Sequence, residues 1–249
     1  MRIILFFIVF FFLSACSDRV LSDKVLPNTL SGVTIIEAPH WFDISYDSWA
    51  VKTIKEYYAS WSVVINGSYF GVTDWGVYYP AGLWESESTV CCTMYLSRPN
   101  GWWIPIDTST NGSDPNLTFV VGISANGEVK IFPREALKGN VWPYKNAFQA
   151  WPLVLSGGIL QDFWRSWHAQ EKHERTLMGK TFSGKILFFI FTDKVTLGEV
   201  GEIISKDPRF TRDPVTLLNL DGWPSTAYYD GVRGFREDVR LPIIFKILK

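Results

Sequence analysis

The sequence predicts an α+β fold in which a mainly antiparallel or mixed, twisted sheet carries a few packed helices. Short apolar runs bounded by polar or turn residues recur along the chain, and most connections between them are short. The pair Asn126-Gly127 separates two such runs, which is the pattern of a β-hairpin. Stretches with helical spacing are few and do not alternate regularly with the strands, as they would in a parallel α/β fold.

The composition is that of one large domain with a substantial core. The chain has 249 residues, of which 47% are hydrophobic. A formal net charge of -1, with no basic stripe, argues against a nucleic-acid partner. The tryptophans have two interpretations: packing in the core and loops, or stacking against sugar rings. The second interpretation fits those beside Gly or Pro turns, namely Trp75, Trp102, Trp103 and Trp223.

The predicted elements follow from local patterns. Thr196 precedes a helix that has Glu199 three residues further on, as in a capping box, so we interpret Glu199 as a cap partner rather than a catalytic acid. Helical spacing predicts a second helix over residues 46–58, and for residues 163–172 we expect either a short helix or a lid. A Gly-centred turn is expected at residues 182–185. Strands are predicted at residues 33–37, 61–65, 117–124, 128–132, 186–191, 215–220 and 243–248.

The first residues of the chain form a distinct segment. Arg2 precedes an uncharged apolar run over residues 3–13, which is too short to span a bilayer and ends in Leu-Ser-Ala-Cys at residues 13–16. This arrangement resembles a bacterial lipoprotein signal. We therefore predict a signal peptide over residues 1–16, diacylation of Cys16, a tether over residues 17–30 and a domain over residues 31–249. An ordinary signal peptide or a single anchor helix is the alternative.

This leader predicts where the protein resides. Fatty acyl chains on Cys16, palmitate among them, would hold the mature chain on a membrane of the bacterial cell envelope. Ser17 follows Cys16 where an Asp would favour the inner membrane, so in a Gram-negative host we expect the outer membrane, with the domain facing the periplasm or the surface. Cys91 and Cys92 are adjacent in a predicted strand. We interpret them as structural residues, with a strained vicinal disulfide left open.

Four segments place polar residues and glycines at the ends of apolar strands, where a site can form on a rigid scaffold. They read N-G-S-Y-F at residues 66–70, Q-A-W-P-L-V-L-S-G-G at 149–158, R-T-L-M-G at 175–179 and N-L-D-G-W-P-S at 219–225. In this order they resemble the phosphodiester glycosidase family, and the resemblance covers roughly residues 62–225. Trp223-Pro224 stands where the family usually shows a glycine-rich run, which would narrow or reshape the pocket floor.

The resemblance implies cleavage of a sugar-1-phosphodiester between the anomeric carbon and the phosphate oxygen. Arg175 and Asp221 are the predicted catalytic residues. The planar guanidinium of Arg175 would hold the phosphate, and Asp221 would act as nucleophile or as a base toward water. A buried ion pair for Arg175 and a turn-stabilising role for Asp221 are the structural alternatives. The predicted substrate-binding residues are Asn66, Gly67, Gln149, Gly157, Asn219, Gly222 and Ser225.

The sequence therefore predicts an envelope-anchored hydrolase that acts on a glycosyl phosphodiester or a related glycoconjugate. The alternative is a non-catalytic glycan-binding or envelope-assembly lipoprotein on the same fold, and a protein-interaction module of the envelope is a third interpretation. We expect no cofactor. The histidines lack the spacing and partners of a zinc site or a hydrolytic triad, while an oxygen-ligated calcium in the loops is left open. The expected partners are a glycan or sugar phosphate and the membrane, with no nucleic acid.

Overall fold

A computed structural model of the chain describes residues 32–38, 42–46, 51–58, 62–67, 70–72, 78–80, 84–85, 117–137, 144–163 and 167–248. Several expectations lie outside these residues: the signal peptide with Cys16, the tether, the pair Cys91 and Cys92, and the tryptophans Trp75, Trp102 and Trp103. No helix within the described ranges has the length and apolar character needed to cross a membrane.

The described residues form many strands and few helices. In chain order the strands are β1 (Val33–Ala38), β2 (Asp43–Tyr46), β3 (Lys52–Thr53), β4 (Ser62–Asn66), β5 (Phe70–Val72), β6 (Tyr78–Pro80), β7 (Trp84–Glu85), β8 (Phe119–Ser124), β9 (Val129–Pro133), β10 (Tyr144–Ala150), β11 (Leu153–Ser156), β12 (Ile159–Leu160), β13 (His173–Thr181), β14 (Ile186–Val195), β15 (Val215–Asn219), β16 (Tyr228–Tyr229), β17 (Gly234–Phe235), β18 (Arg240–Leu241) and β19 (Ile243–Leu248). The helices are α1 (Ile54–Tyr57), α2 (Trp167–Gln170), α3 (Leu197–Lys206) and α4 (Pro208–Arg212), with a 3-10 turn at Arg134–Leu137.

The main sheet has the strand order β1-β14-β13-β15-β11-β12, and every neighbouring pair in it is antiparallel. Two further sheets have the orders β7-β10-β8-β9 and β17-β16-β4-β19-β2. The predicted α+β class with a mainly antiparallel sheet is confirmed. The strand β13 lies near the centre of the main sheet, and its pairing with β14 contains an irregularity between His173 and Arg175.

The main sheet is buried on both faces, which explains the uninterrupted apolar run of β14. Alternate side chains of β14 point to opposite faces. Phe188 and Ile190 enter a core shared with the other two sheets, including Phe148 of β10 and Phe245 of β19. The intervening residues Leu187, Phe189 and Phe191 enter a second core with residues of α3 and α4.

Helix α3 begins where the sequence predicts. The Thr196 side chain accepts a hydrogen bond from the Glu199 amide at 3.1 Å, and the Glu199 carboxylate accepts one from the Thr196 amide at 2.7 Å. This reciprocal capping box satisfies amide groups that have no partner inside the helix. Glu199 therefore has the cap role that we expected. It also forms an ion pair with Lys172 at 2.9 Å.

The helix predicted over residues 46–58 is wrong for most of its described length. Tyr46 ends β2, residues 52 and 53 form β3, and only Ile54–Tyr57 are helical. The strand forms because Lys52 and Thr53 pair with Leu241 and Arg240, a contact far away in sequence that overrides local helical spacing. By contrast, the hairpin of β8 and β9 around Asn126-Gly127 forms as predicted, with Gly127 at a φ of 83°.

Candidate functional site

The candidate site lies where β15 ends beside β13. Leu177 pairs with Asn219 in the antiparallel register, and beyond this pair the amide of Leu220 donates to the carbonyl of Thr176 at 2.9 Å. The amide of Trp223 then donates to the carbonyl of Glu174 at 3.3 Å. The Asp-Gly turn therefore runs alongside the first residues of β13. The segments at 175–179 and 219–225 meet here, as the sequence predicts.

Among the titratable groups in the described ranges, Asp221 is one whose pKa is strongly shifted. The residue keeps partial solvent exposure, but protein atoms surround its carboxyl group. Desolvation raises the pKa of Asp221 to about 7, against the opposing effect of hydrogen bonds from the Ser225 side chain and the Gly222 amide. A carboxyl group with a pKa near neutrality can accept and release a proton at physiological pH.

Asn66 fixes the turn that carries Asp221. This side chain is fully buried at the end of β4, and its Nδ2 donates to the Asp221 carbonyl at 2.7 Å. Its Oδ1 accepts from the Thr176 hydroxyl at 2.6 Å and from the Ala227 amide at 3.1 Å. These contacts orient the amide inward, toward the protein. The geometry therefore favours a positioning role for Asn66 over direct contact with a substrate.

Arg175 is buried beside the same turn and is bound by backbone carbonyls. Its Nη2 donates to the carbonyls of His168 at 2.8 Å and Glu171 at 2.7 Å, and its Nε donates to Val195 at 3.4 Å. The guanidinium thus secures α2 against the sheet. These contacts support a positioning role for Arg175, and its role as a phosphate clamp stays a prediction.

Gly222 and Ser225 form the turn beside Asp221. A Cβ atom on Gly222 would stand 3.2 Å from the Glu174 carbonyl oxygen, so a glycine allows the close approach of the two segments. The Gly222 carbonyl accepts the amides of Ser225 at 2.6 Å and of Thr226 at 3.1 Å, which closes the turn. Gly67 is buried directly after β4 and next to Asn66.

The remaining predicted residues lie at different distances from Asp221. The Asn219 side chain donates to the Trp151 carbonyl at 3.1 Å, which joins the segment 149–158 to the end of β15. Gln149 is fully buried in β10 and donates to the Leu117 carbonyl at 2.8 Å. Gly157 is not brought to the site. Its amide contacts the Thr216 side chain near the start of β15, whereas Asp221 follows the other end of that strand.

A buried ion pair that sequence reasoning missed lies behind the Asp-Gly turn. The Glu174 carboxylate is 8% exposed, and its Oε1 lies 3.0 Å from Nη2 of Arg236. Nη1 of Arg236 donates to the Pro224 carbonyl at 3.2 Å. Arg236 therefore links β13 to the turn after Asp221. In the sequence, the position of Glu174 next to Arg175 was the available sign that it could belong to the site. Its partner Arg236 is 62 residues away, so no local pattern connects the two.

An aromatic pair lies at the exposed side of the turn. The rings of His173 and Trp223 stack with their centroids 5.5 Å apart and their planes 11° apart. The His173 Nε2 lies 2.9 Å from a carboxylate oxygen of Glu171. Trp223 is 53% exposed. Among the residues that the structure describes, no group of three or more His, Cys, Asp or Glu side chains is arranged to hold a metal ion.

The chain matches a known protein family. A family model described as phosphodiester glycosidase matches residues 61–240, which contain all four polar segments. No curated protein matches the chain.

Two solved structures share the fold. The catalytic domain of zebrafish N-acetylglucosamine-1-phosphodiester alpha-N-acetylglucosaminidase, auto-inhibited by its pro-peptide, aligns with a TM-score of 0.53 and 12% identity over 87% of this chain and 76% of that one. A hypothetical protein from Synechocystis aligns with a TM-score of 0.50 and 12% identity over 88% of this chain and 60% of that one. At this identity the likeness concerns the fold.

Proposed function

Because this chain belongs to the phosphodiester glycosidase family, we propose that it is a glycosidase that hydrolyses a glycosyl phosphodiester. The family implies a glycoconjugate substrate. The observation that carries the proposal is the placement of Asp221. Its carboxyl group has a pKa of about 7 and lies at the end of a buried strand, in a turn that Asn66, Gly222 and Ser225 hold in place.

Hydrolysis of such a bond makes unequal demands on the protein. The leaving group is a phosphate monoester, which departs as an anion with little help from a general acid. The attacking water must lose a proton as its oxygen bonds to the anomeric carbon and the bond from that carbon to the phosphate oxygen breaks. Asp221 in its ionised form accepts this proton and returns it to solvent, so it acts as a general base.

This role predicts a pH dependence. Since the base must be ionised, kcat/KM is expected to rise with pH through about 7 and then to level off. Asp221→Asn keeps the shape of the side chain but removes the base, and we expect kcat to fall by about 10²- to 10⁴-fold. The measurement is release of free sugar from a panel of glycosyl phosphodiesters, followed from pH 5 to pH 9.

The matched control is Asp162→Asn, which changes an exposed carboxylate outside the turn and should leave turnover unchanged. An Asp221→Asn protein with the turnover and the pH profile of the wild type would refute the assignment of the base.

Anchoring in the cell envelope is a separate part of the proposal. Its support is the arrangement of residues 1–16, with a charged start, an apolar run and Leu-Ser-Ala-Cys at its end. Lipidated Cys16 would place the domain at the outer membrane of a Gram-negative host.

Glycan binding without turnover is the second candidate. The half-exposed Trp223 favours it, because this residue stands where the family usually has glycine. Saturable binding of a glycan by a wild-type protein that hydrolyses no member of the panel would support this alternative.

A further inference from the structure

From the stack of Trp223 on His173 we infer that the indole ring is a platform that binds the sugar ring of the substrate beside Asp221. The inference rests on the proposed function and names a subsite for it. Trp223 follows Asp221 by two residues, so their Cα atoms lie at most about 7.6 Å apart. This distance is comparable with the width of a sugar ring. A sugar ring on the indole would therefore lie beside the turn that carries the carboxyl group.

The exposure of Trp223 distinguishes it from ordinary packing residues. The large apolar side chains that are exposed in the described parts of the chain are Ile159, Phe182, Trp223 and Val232. Trp223 alone among these lies beside the carboxyl group with the raised pKa. Exposing an indole to water is unfavourable, and a ligand that covers it gains the free energy of burying that area.

The contacts of Trp223 hold its ring in one orientation. The imidazole of His173 lies nearly parallel to the indole with the ring centroids 5.5 Å apart, and Glu171 holds that imidazole through a 2.9 Å contact. The backbone is held on both sides of the ring, since the Trp223 amide donates to the Glu174 carbonyl and Arg236 donates to the Pro224 carbonyl. A ring that is already ordered loses little conformational entropy when a ligand binds.

The chemistry of the platform selects a sugar ring rather than a phosphate. The face of an aromatic ring is electron-rich, and it attracts the weakly positive C–H groups that line one face of a pyranose. A phosphate carries negative charge and gains nothing from this face. The platform therefore takes the sugar moiety of the glycosyl phosphodiester.

The test measures binding in protein that carries Asp221→Asn, so that turnover does not interfere. Calorimetric titrations would use glucose 1-phosphate, galactose 1-phosphate and N-acetylglucosamine 1-phosphate, with inorganic phosphate as the probe that lacks a sugar. We expect Trp223→Ala to weaken binding of the sugar phosphates by about tenfold and Trp223→Phe by less, since phenyl keeps an aromatic face. Inorganic phosphate should bind both variants like the parent.

The matched control is Phe182→Ala. It removes an exposed aromatic ring from the β13–β14 turn, at the end of β13 opposite His173. It should leave the binding of every probe unchanged. A second variant, His173→Ala, removes the support beneath the indole and should weaken sugar binding less than Trp223→Ala does.

Three results would overturn the platform. They are sugar binding that survives Trp223→Ala, an equal loss of inorganic phosphate and sugar phosphates, and a parent protein that binds none of the sugar phosphates. The proposed function fails differently. Binding that depends on Trp223 in a wild-type protein without hydrolysis would leave the platform standing and refute only the enzymatic activity.

Discussion

The Asp221 carboxyl destabilises the fold by an amount that increases with pH. Its pKa is about 7 in the native chain against 3.8 for the unperturbed group. Between these values the native state keeps a proton that the unfolded state has lost, so the free energy of unfolding falls as pH rises from about 4 to about 7. The full effect is at most about 4 kcal/mol. A side chain that lowers stability in its ionised form is typical of a functional group.

Asp221→Asn should therefore stabilise the protein in a pH-dependent way. At pH 8 the variant is expected to exceed the wild type by up to about 4 kcal/mol in the free energy of unfolding, and near pH 4 the two should converge. Urea denaturation at pH 4, 6 and 8 measures this. Asp207→Asn is the matched control with the opposite sign, because hydrogen bonds from Arg209 lower the pKa of Asp207 and its carboxylate stabilises the fold. An Asp221→Asn protein that is less stable than the wild type at pH 8 would contradict the prediction.

Single residues show what the sequence could and could not predict about the site. Polar groups after apolar strands correctly indicated that the segments around Asn66, Arg175 and Asp221 meet. The direction of each side chain was beyond sequence reasoning, because it depends on tertiary partners. The amide of Asn66 and the guanidinium of Arg175 are turned toward the backbone of neighbouring segments. Their catalytic and binding roles remain predictions.

Contacts between strands of different sheets position the candidate site. Thr176 of β13 bonds to Asn66 of β4, and Glu174 of β13 pairs with Arg236, which directly follows β17. The first link ends in the sheet that contains β4 and β17, and the second ends directly after β17. The turn of Asp221 is held between them. One hydrogen bond and one ion pair therefore link β13 to the neighbouring segments at this end.

Removing one partner of the ion pair should destabilise the protein strongly. Arg236→Ala leaves the buried Glu174 carboxylate uncompensated, and we expect a loss of about 3 kcal/mol in the free energy of unfolding. In the double variant Glu174→Gln, Arg236→Ala the uncompensated charge is gone, so part of this loss should be recovered. Urea denaturation of the single and double variants gives the coupling energy.

The control for this cycle is the exposed pair of Glu202 and Lys206 in α3. Lys206→Ala should change stability by less than about 0.5 kcal/mol, since solvent screens the pair. A loss for Arg236→Ala as small as that for Lys206→Ala would contradict a structural role for the link between the sheets.

Sequence patterns predicted elements well where the causes are local. The capping box of Thr196 and Glu199 and the turn at Asn126-Gly127 depend on residues within a few positions of each other, and both form as expected. The helix expected over residues 46–58 failed because β3 pairs with β18, some 190 residues away. The pair of Glu174 and Arg236 was missed for the same reason.

The whole molecule combines an antiparallel sheet buried on both faces with a leader that resembles a lipoprotein signal. The predicted lipid anchor would act on the whole chain, because it would fix the location of the domain and thereby the polymers within its reach. In a Gram-negative host that processes lipoproteins, we expect the wild type to incorporate labelled palmitate and to sediment with the outer membrane. Cys16→Ala should lose both properties, since it lacks the thiol that is acylated.

Cys91→Ala is the matched control and should keep the label and the membrane attachment. A Cys16→Ala protein that remains equally membrane-bound without label would contradict the lipid anchor and favour an uncleaved anchor helix.

We expect the irregular start of β13 to tolerate insertions and deletions poorly. Four successive side chains there serve four different neighbours: His173 meets Trp223, Glu174 meets Arg236, Arg175 meets backbone carbonyls and Thr176 meets Asn66. Deleting or adding a single codon within residues 173–176 would give some of these neighbours the wrong side chain. In the exposed turn at residues 182–184 the Ser183 side chain bonds one neighbour outside the hairpin, Asp213, at 2.6 Å, so we expect insertions to be better tolerated there than at the other end of the hairpin.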